Sequence, residues 1–192
     1  IFQMKTNGLV QVENPSELFL AERQNDITGS TIFPSLEGSR PILVEVQALV
    51  SNANFGTPQR NVNGFDFKRL AMLIAVLEKG LGTHMGTKDV FVNLVGGLKV
   101  DDPAADLAVI TAVASAARDQ LLSNSVVLIG EVGLGGEVRS VSRLETRINE
   151  AKSLGFKTVI APAANVKRIS KHVKRIKVSG ISSVGEAFQI LF

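Results

Sequence analysis

VDDPAAD, residues 100 to 106, joins a predicted strand (residues 89–95) to a predicted helix that runs to about Gln120. Pro103 favours the first turn of that helix, because proline lacks an N–H group that would have no helical partner there. Asp101 or Asp102 is predicted to cap the turn by accepting a backbone hydrogen bond. The residues that follow are rich in alanine, which has the highest helix propensity. These signals predict a strand–turn–helix unit in the middle of the chain.

Strands and helices are predicted to alternate on both sides of this unit. Before it come short strands at residues 1–5 and 9–12, a short helix to residue 22, a hairpin of residues 30–36 and 41–50, a polar loop at 51–64 that contains Arg60, and a helix at 66–79 ended by Gly80 and Gly82. After it come strands at 125–129 and 137–141, paired across a glycine turn, a helix at 143–154, a strand at 157–161 and a helix at 182–191. The hairpin alternates as if one face were buried and the other half-exposed. This order predicts an α/β fold, a sandwich with a mixed sheet.

Composition excludes several classes of site. The chain has no cysteine, which rules out disulfides, a cysteine nucleophile and zinc–thiolate sites. His84 and His172 are too few and too far apart in sequence to suggest a metal site, so we predict none. No apolar run reaches the roughly 18 residues that a membrane-spanning helix needs. We therefore expect a cytoplasmic protein with no membrane partner.

Basic residues are concentrated in one segment. Residues 166–177 hold six Lys and Arg and no acid, whereas the rest of the chain has fifteen basic and eighteen acidic residues. Such a cluster can bind a polyanion. It can equally be an ordinary solvated edge, and composition leaves both alternatives open.

Four stretches in a fixed order resemble the proteolytic domain of Lon proteases. They are residues 100–106, 130–138, 144–147 and 154–162. The resemblance covers the chain from about residue 85 to its end and implies the Lon-protease-like fold, which is also described as ribosomal protein S5 domain 2-like. In the active proteases a serine nucleophile lies at the start of the helix, and a lysine on a later helix is the general base.

The matched catalytic positions are replaced here. Ala104 stands at the nucleophile position, Asp106 at a glycine position, and Arg147 at the position of the general-base lysine. Alanine has no nucleophilic atom, and arginine stays protonated and cannot accept a proton. A carboxylate at Asp106 would oppose an oxyanion. We therefore predict no catalytic residue and no enzymatic activity.

An active serine peptidase remains as an alternative. Ser140 and Ser142 are nearby hydroxyl groups, although the sequence gives neither of them a base.

Further stretches resemble the RadA family of bacterial DNA-repair proteins. They are residues 9–20, 37–50, 69–77 and 89–93. The resemblance implies that residues 9–192 are a Lon-protease-like domain and that residues 1–8 are the tail of a preceding ATPase core or a linker. It also implies upstream domains that hold ATP, Mg and Zn, whereas this segment binds no cofactor. The implied function is recombination and DNA repair by a hexameric ring that promotes branch migration with RecA.

Two roles follow if catalysis is lost. In the first, the domain binds single- or double-stranded DNA without sequence preference and helps to form the hexamer. In the second, it is an oligomerisation or protein-interaction scaffold without direct DNA contact. The candidate DNA-binding residues are Arg60, Lys68, Arg69, Lys99, Arg139, Arg143, Arg147, Lys167, Arg168, Lys171 and Lys174. For Arg147 a structural ion pair with Asp106 or Glu145 is an equal alternative.

Overall fold

The computed structural model describes residues 2–6, 8–12, 14–21, 23–24, 26–53, 56–169 and 175–192. The elements are β1 (Phe2–Lys5), β2 (Gly8–Gln11), α1 (Pro15–Leu20), β3 (Ser30–Glu37), β4 (Arg40–Asn52), β5 (Arg60–Asn63), α2 (Phe67–Leu81), β6 (Lys88–Leu94), α3 (Asp106–Arg118), β7 (Val126–Leu128), β8 (Glu131–Val132), β9 (Val138–Arg139), α4 (Leu144–Ser153), β10 (Thr158–Pro162), α5 (Ala163–Val166), β11 (Lys177–Ile181) and α6 (Val184–Leu191). A single 3-10 turn, Pro103–Ala105, precedes α3. The predicted α/β fold with a mixed sheet is confirmed. None of the described helices has the length and apolar character needed to cross a membrane.

Two main sheets form the framework. The first has the strand order β3-β4-β6-β5, in which β5 runs parallel to β6 and the other neighbours are antiparallel. The second is parallel, in the order β11-β10-β7. Two small antiparallel pairs, β1-β2 and β8-β9, complete the strands described.

The first sheet separates two apolar cores. Val44, Val46 and Val92 face the larger core, which α2 and α3 cover. Ile32 and Leu43 point the other way into a smaller core shared with α4 and the parallel sheet. Because successive side chains of a strand point to opposite faces, β3 and β4 each supply side chains to both cores. The sheet is therefore the middle layer over the length of β3.

Helix boundaries follow the capping signals in the sequence. Asp66 caps α2 by accepting a hydrogen bond from the Arg69 N–H, and Gly82 ends the helix at a φ of 64°. Gly80 was also predicted to end α2, but it lies inside the helix. Asp102, one of the two predicted caps, accepts a hydrogen bond from the Ala104 N–H at the start of the 3-10 turn.

Three local predictions were wrong. Residues 60–63, expected in a loop, form β5, because pairing with β6 in the sheet outweighs their polar composition. The partner of β9 is β8, whereas residues 126–128 pair with β10. The half-exposed face expected on the second hairpin strand is buried from residue 42 to residue 46, including Glu45, because the second core covers it.

The first two strands form a hairpin of their own. Gln3 pairs with Val10 and Met4 with Leu9. The boundary predicted between residues 8 and 9 falls inside this hairpin, next to the start of β2 at Gly8.

Gly64 couples β5 to the segment before α3 and provides a test of this packing. Its φ is +81°, and a Cβ atom there would lie 2.4 Å from the Leu98 carbonyl oxygen. Backbone strain and overpacking together should make Gly64→Ala lower the free energy of unfolding by about 3 kcal/mol. Gly38, with a φ of +63° and open space around it, is the matched control. Gly38→Ala should lower the free energy of unfolding, measured in urea, by only about 1 kcal/mol. Equal losses in the two variants would contradict the packing described.

Candidate functional site

Arg147, which the resemblance matches to the general-base lysine of the proteases, is a buried charged residue. Helix α4 carries its side chain against the start of α3, where it is only 1% exposed. The Nη1 atom lies 2.7 Å from Oδ2 of Asp102, an ion pair that is close but not aligned as a hydrogen bond. The same nitrogen donates to the Pro34 carbonyl oxygen on edge strand β3, and Nε donates to the Ser142 carbonyl oxygen at 3.1 Å. Arg147 thus binds three separate segments together.

Asp102 links this ion pair to the turn that holds the nucleophile position. Its Oδ1 atom accepts a hydrogen bond of 3.0 Å from the Ala104 N–H. Ala104 is itself buried, and its carbonyl oxygen accepts a hydrogen bond from the Gly130 N–H at 2.9 Å. The turn is therefore fixed on both sides of a residue that has no reactive side-chain atom.

A second buried carboxylate lies one turn further along, at Asp106. Its side chain is completely buried and accepts two hydrogen bonds from the guanidinium of Arg69 on α2. It also accepts one of 2.9 Å from the Val132 N–H. Burial raises the pKa of Asp106, against the opposing effect of these hydrogen bonds, and the bond to Asp106 raises the pKa of Arg69. Because burial disfavours the charged carboxyl, the Arg69 contact is what compensates it.

The ion pair observed for Arg147 differs from the predicted pairings with Asp106 or Glu145. The carboxylate next to its guanidinium is that of Asp102. Asp106 is paired with Arg69 instead. The sequence indicated Asp102 only as a helix cap. Its pairing with Arg147 depends on where α4 packs against the turn before α3, and the spacing of residues in the sequence does not predict that packing.

The predicted DNA-binding residues fall into distinct environments. Arg60 donates to the carbonyl oxygens of Gln59, Lys88 and Met85, so its guanidinium fastens β5 to the segment around β6. Arg69 and Arg147 are held in the two ion pairs. The exposed members are Lys68, Lys99, Arg139, Arg143, Lys167 and Arg168. Lys171 and Lys174 lie outside the described residues.

Two of the exposed cations lie beside the Arg147–Asp102 pair, in pockets that also contain acidic residues. Lys99 and Arg147 line a pocket of about 330 Å³ together with Glu37, Asp101 and Asp102. Lys68 lines the adjoining pocket with Asp66, Asp101 and Asp102. Among the described residues, neither Lys68 nor Lys99 has a carboxylate within ion-pair distance. These two cations therefore face solvent unpaired, one on each side of the closed site.

Arg139 lies beside the same region in a third pocket, which it shares with Arg69. Glu137 pairs with it at 2.6 Å, and this contact lowers the pKa of the Glu137 carboxyl.

The loop from Arg139 to Arg143 connects this region to α5. Asn165 on α5 accepts a hydrogen bond of 2.8 Å from the Val141 N–H and donates one of 3.0 Å to the Val141 carbonyl oxygen. Arg143 has a φ of 52° and stands at the start of α4 with its side chain exposed. Lys167 and Arg168 follow α5 directly, so the loop joins the cations near the site to the described part of the basic segment.

Metal chemistry has no candidate centre in the parts of the chain just described. Within the ranges resolved above, no three His, Asp or Glu side chains are grouped as metal ligands would be.

Comparison with known proteins assigns this arrangement to a family. Residues 79–191 match the family described as Lon protease (S16) C-terminal proteolytic domain. The chain belongs to this family. Ala104, Asp106 and Arg147 all lie within the matched range, so the degenerate positions belong to the Lon-protease-like domain itself.

Proteins named DNA repair protein RadA resemble the chain over nearly its whole length. The protein of Bacillus subtilis is 49% identical over 189 residues, 98% of this chain and 41% of its own length. That of Halalkalibacterium halodurans is 46% identical over 99% of the chain and 41% of its own length. That of Chlamydia pneumoniae is 44% identical over 100% of the chain and 42% of its own length. The predicted resemblance is confirmed, and this chain spans about two fifths of the length of these relatives.

Removing Arg147 should destabilise the Lon-protease-like domain. Arg147→Met leaves the Asp102 carboxylate and two carbonyl oxygens without their partner, so the free energy of unfolding should fall by about 3 kcal/mol or more. Arg147→Lys keeps the charge but lacks the planar guanidinium, so it should lower the free energy of unfolding by less than Arg147→Met does. The exposed Arg168→Met is the control and should stay within about 0.5 kcal/mol of the native chain in urea unfolding. If Arg147→Met unfolds like the control, the ion pair has no structural role.

Proposed function

We propose that the chain is a non-catalytic Lon-protease-like domain of a RadA-type DNA-repair protein, which binds DNA and helps to form a hexameric ring. The observation that carries the proposal is the buried Arg147–Asp102 ion pair, with unpaired cations exposed on either side of it. The ion pair supports the loss of catalysis, and the cations support a new ligand at the same surface.

The chemistry of the closed site supports the absence of peptidase activity. Ala104 supplies no nucleophile, and the guanidinium of Arg147 stays protonated and bonded to fixed acceptors. The Val132 N–H donates a hydrogen bond to the Asp106 carboxylate. It is therefore not available to polarise a substrate carbonyl. Ser142 is exposed beside Arg147, but a permanently charged guanidinium cannot remove a proton from its hydroxyl.

The exposed cations suit the backbone of a nucleic acid. Lysine and arginine neutralise phosphates without reading sequence. The chain has no Trp or Tyr, the residues that together with Phe most often stack on bases. Contacts to the phosphates should therefore dominate, made by Lys68, Lys99, Arg139, Arg143, Lys167 and Arg168.

The larger assembly is part of the proposal. A hexamer repeats a weak cationic surface six times around a closed ring, which raises avidity without new contacts. ATP, Mg and Zn would be held by other domains of the protein, and RecA would be its partner in branch migration in the cytoplasm. In the alternative function, the domain assembles the ring and other domains hold the DNA. An uncharged groove on the outer face of the first sheet favours a scaffold role of this kind.

Fluorescence anisotropy with labelled single- and double-stranded DNA across a salt series tests the binding. Lys99→Ala should weaken binding of every sequence severalfold and lower the slope of log affinity against log salt by about 1, because one phosphate contact is lost. Lys79→Ala, which removes an exposed cation at the far end of α2, is the matched control and should bind like the native chain.

Two results would redirect the proposal. Normal binding by Lys99→Ala, with binding lost in the Lys167→Ala/Arg168→Ala double variant, would move the interface to the basic segment alone. No binding by the native chain even at low salt would leave the scaffold function.

A further inference from the structure

The outer face of the first sheet carries a groove without charge. It has a volume of about 530 Å³, and the twelve described residues that line it are all uncharged. Its floor includes Leu49 and Phe91, which pair across β4 and β6, and beside them Gln47, Asn93 and Asn63 form a row across three strands. Asn63 donates to the Asn93 side chain at 2.8 Å. In a chain with 20% charged residues, an open surface this large and neutral is typical of a protein contact.

Leu134 is the most exposed large apolar side chain among the described residues, at 74%. It lies at the tip of the β8–β9 hairpin, in the sequence Gly133-Leu134-Gly135-Gly136.

The hairpin tip is held firmly in place. The Gly133 N–H donates to the Glu137 carbonyl oxygen, and the Gly136 N–H donates to the Gly133 carbonyl oxygen, both at 2.9 Å. The Glu137 carboxylate accepts a hydrogen bond from the Gly135 N–H. Leu134 is therefore presented to solvent by a structured turn rather than by a loose loop.

The groove and the tip lie on opposite sides of the first sheet. The groove residues Leu49, Phe91 and Asn93 alternate with residues that face α2 and α3, so the groove is on the face away from these helices. The tip is on the helix side, because Gly136 faces Val76 of α2 and the Val132 N–H is bonded to Asp106 at the start of α3. One copy therefore cannot fill its own groove with its own Leu134.

We propose that Leu134 of one copy docks into the groove of a second copy, head to tail. The inference rests on the ring-forming part of the proposed function. A contact that builds a ring needs two different surfaces that face different directions, and these two surfaces meet that requirement. The neutral lining matches a glycine-flanked leucine, and it offers no cation for a nucleic acid phosphate. The amide row offers hydrogen-bond donors and acceptors at the edge of the groove.

Cysteine crosslinking on the 192-residue chain tests the contact directly. The native chain has no cysteine, so an introduced pair has no competing thiol. The Leu134→Cys/Asn61→Cys variant places one thiol at the tip and one in the groove. On oxidation it should give a ladder of covalent multimers up to the ring on a non-reducing gel. Leu121→Cys/Asn61→Cys, with the first thiol at another exposed leucine, is the control and should stay monomeric.

Sedimentation velocity separates this contact from the ring itself. Leu134→Ser should shift the native multimer to monomer while leaving the circular dichroism spectrum of the folded chain unchanged, because the side chain is exposed within one copy. A native chain that sediments as a ring, with no ladder and no effect of Leu134→Ser, would overturn the contact and leave the ring proposal standing. A native chain that stays monomeric over the whole concentration range and gives no ladder would overturn both. Binding to DNA should weaken when the ring is lost, so it is measured separately and does not decide this contact.

Discussion

The ion pair between Arg147 and Asp102 fixes the geometry on which the rest of the site depends. A buried guanidinium needs acceptors in defined places, because an uncompensated buried charge is strongly destabilising. Here the acceptors come from edge strand β3, from the loop before α4 and from the turn before α3. The arginine therefore ties together segments that lie more than a hundred residues apart in sequence. In an active protease a neutral lysine at this position must exchange protons, which a group bonded in this way cannot do.

The second ion pair fixes the other buried carboxylate next to the start of α3. Asp106 takes the Arg69 guanidinium and the Val132 N–H, so α2, α3 and the β8–β9 hairpin meet at one buried carboxylate. The charges in the interior of the site are then matched within the domain. Lys68 and Lys99, whose ammonium groups have no such partner among the described residues, are left to interact with solvent or with a ligand. The proposed loss of catalysis and the proposed binding of a ligand by these exposed lysines would thus follow from the same arrangement.

Local signals predicted the helices better than the sheets. Gly82 and Asp102 act within one turn of the chain, and their roles at helix ends were predicted from their neighbours. Strand β5 was missed because its polar residues become a strand only through pairing with β6. The assignment of Ala104, Asp106 and Arg147 to former catalytic positions comes from motif order and stays a prediction. The partners of Arg147 and Arg69 were not predictable, because each is set by how distant elements pack.

The two surfaces proposed for binding are compatible because they differ in both place and chemistry. The cations surround the start of α3, whereas the groove is uncharged and lies behind the sheet. Leu134, which is proposed to dock into the groove of a neighbour, lies on a hairpin that also carries Arg139 and adjoins Arg69. A neighbour that covers this hairpin tip would lie next to the cationic surface and bring the cations of adjacent copies together. Since the affinity of a repeated weak site depends on how many copies engage at once, ring assembly and DNA binding would then reinforce each other through one short hairpin.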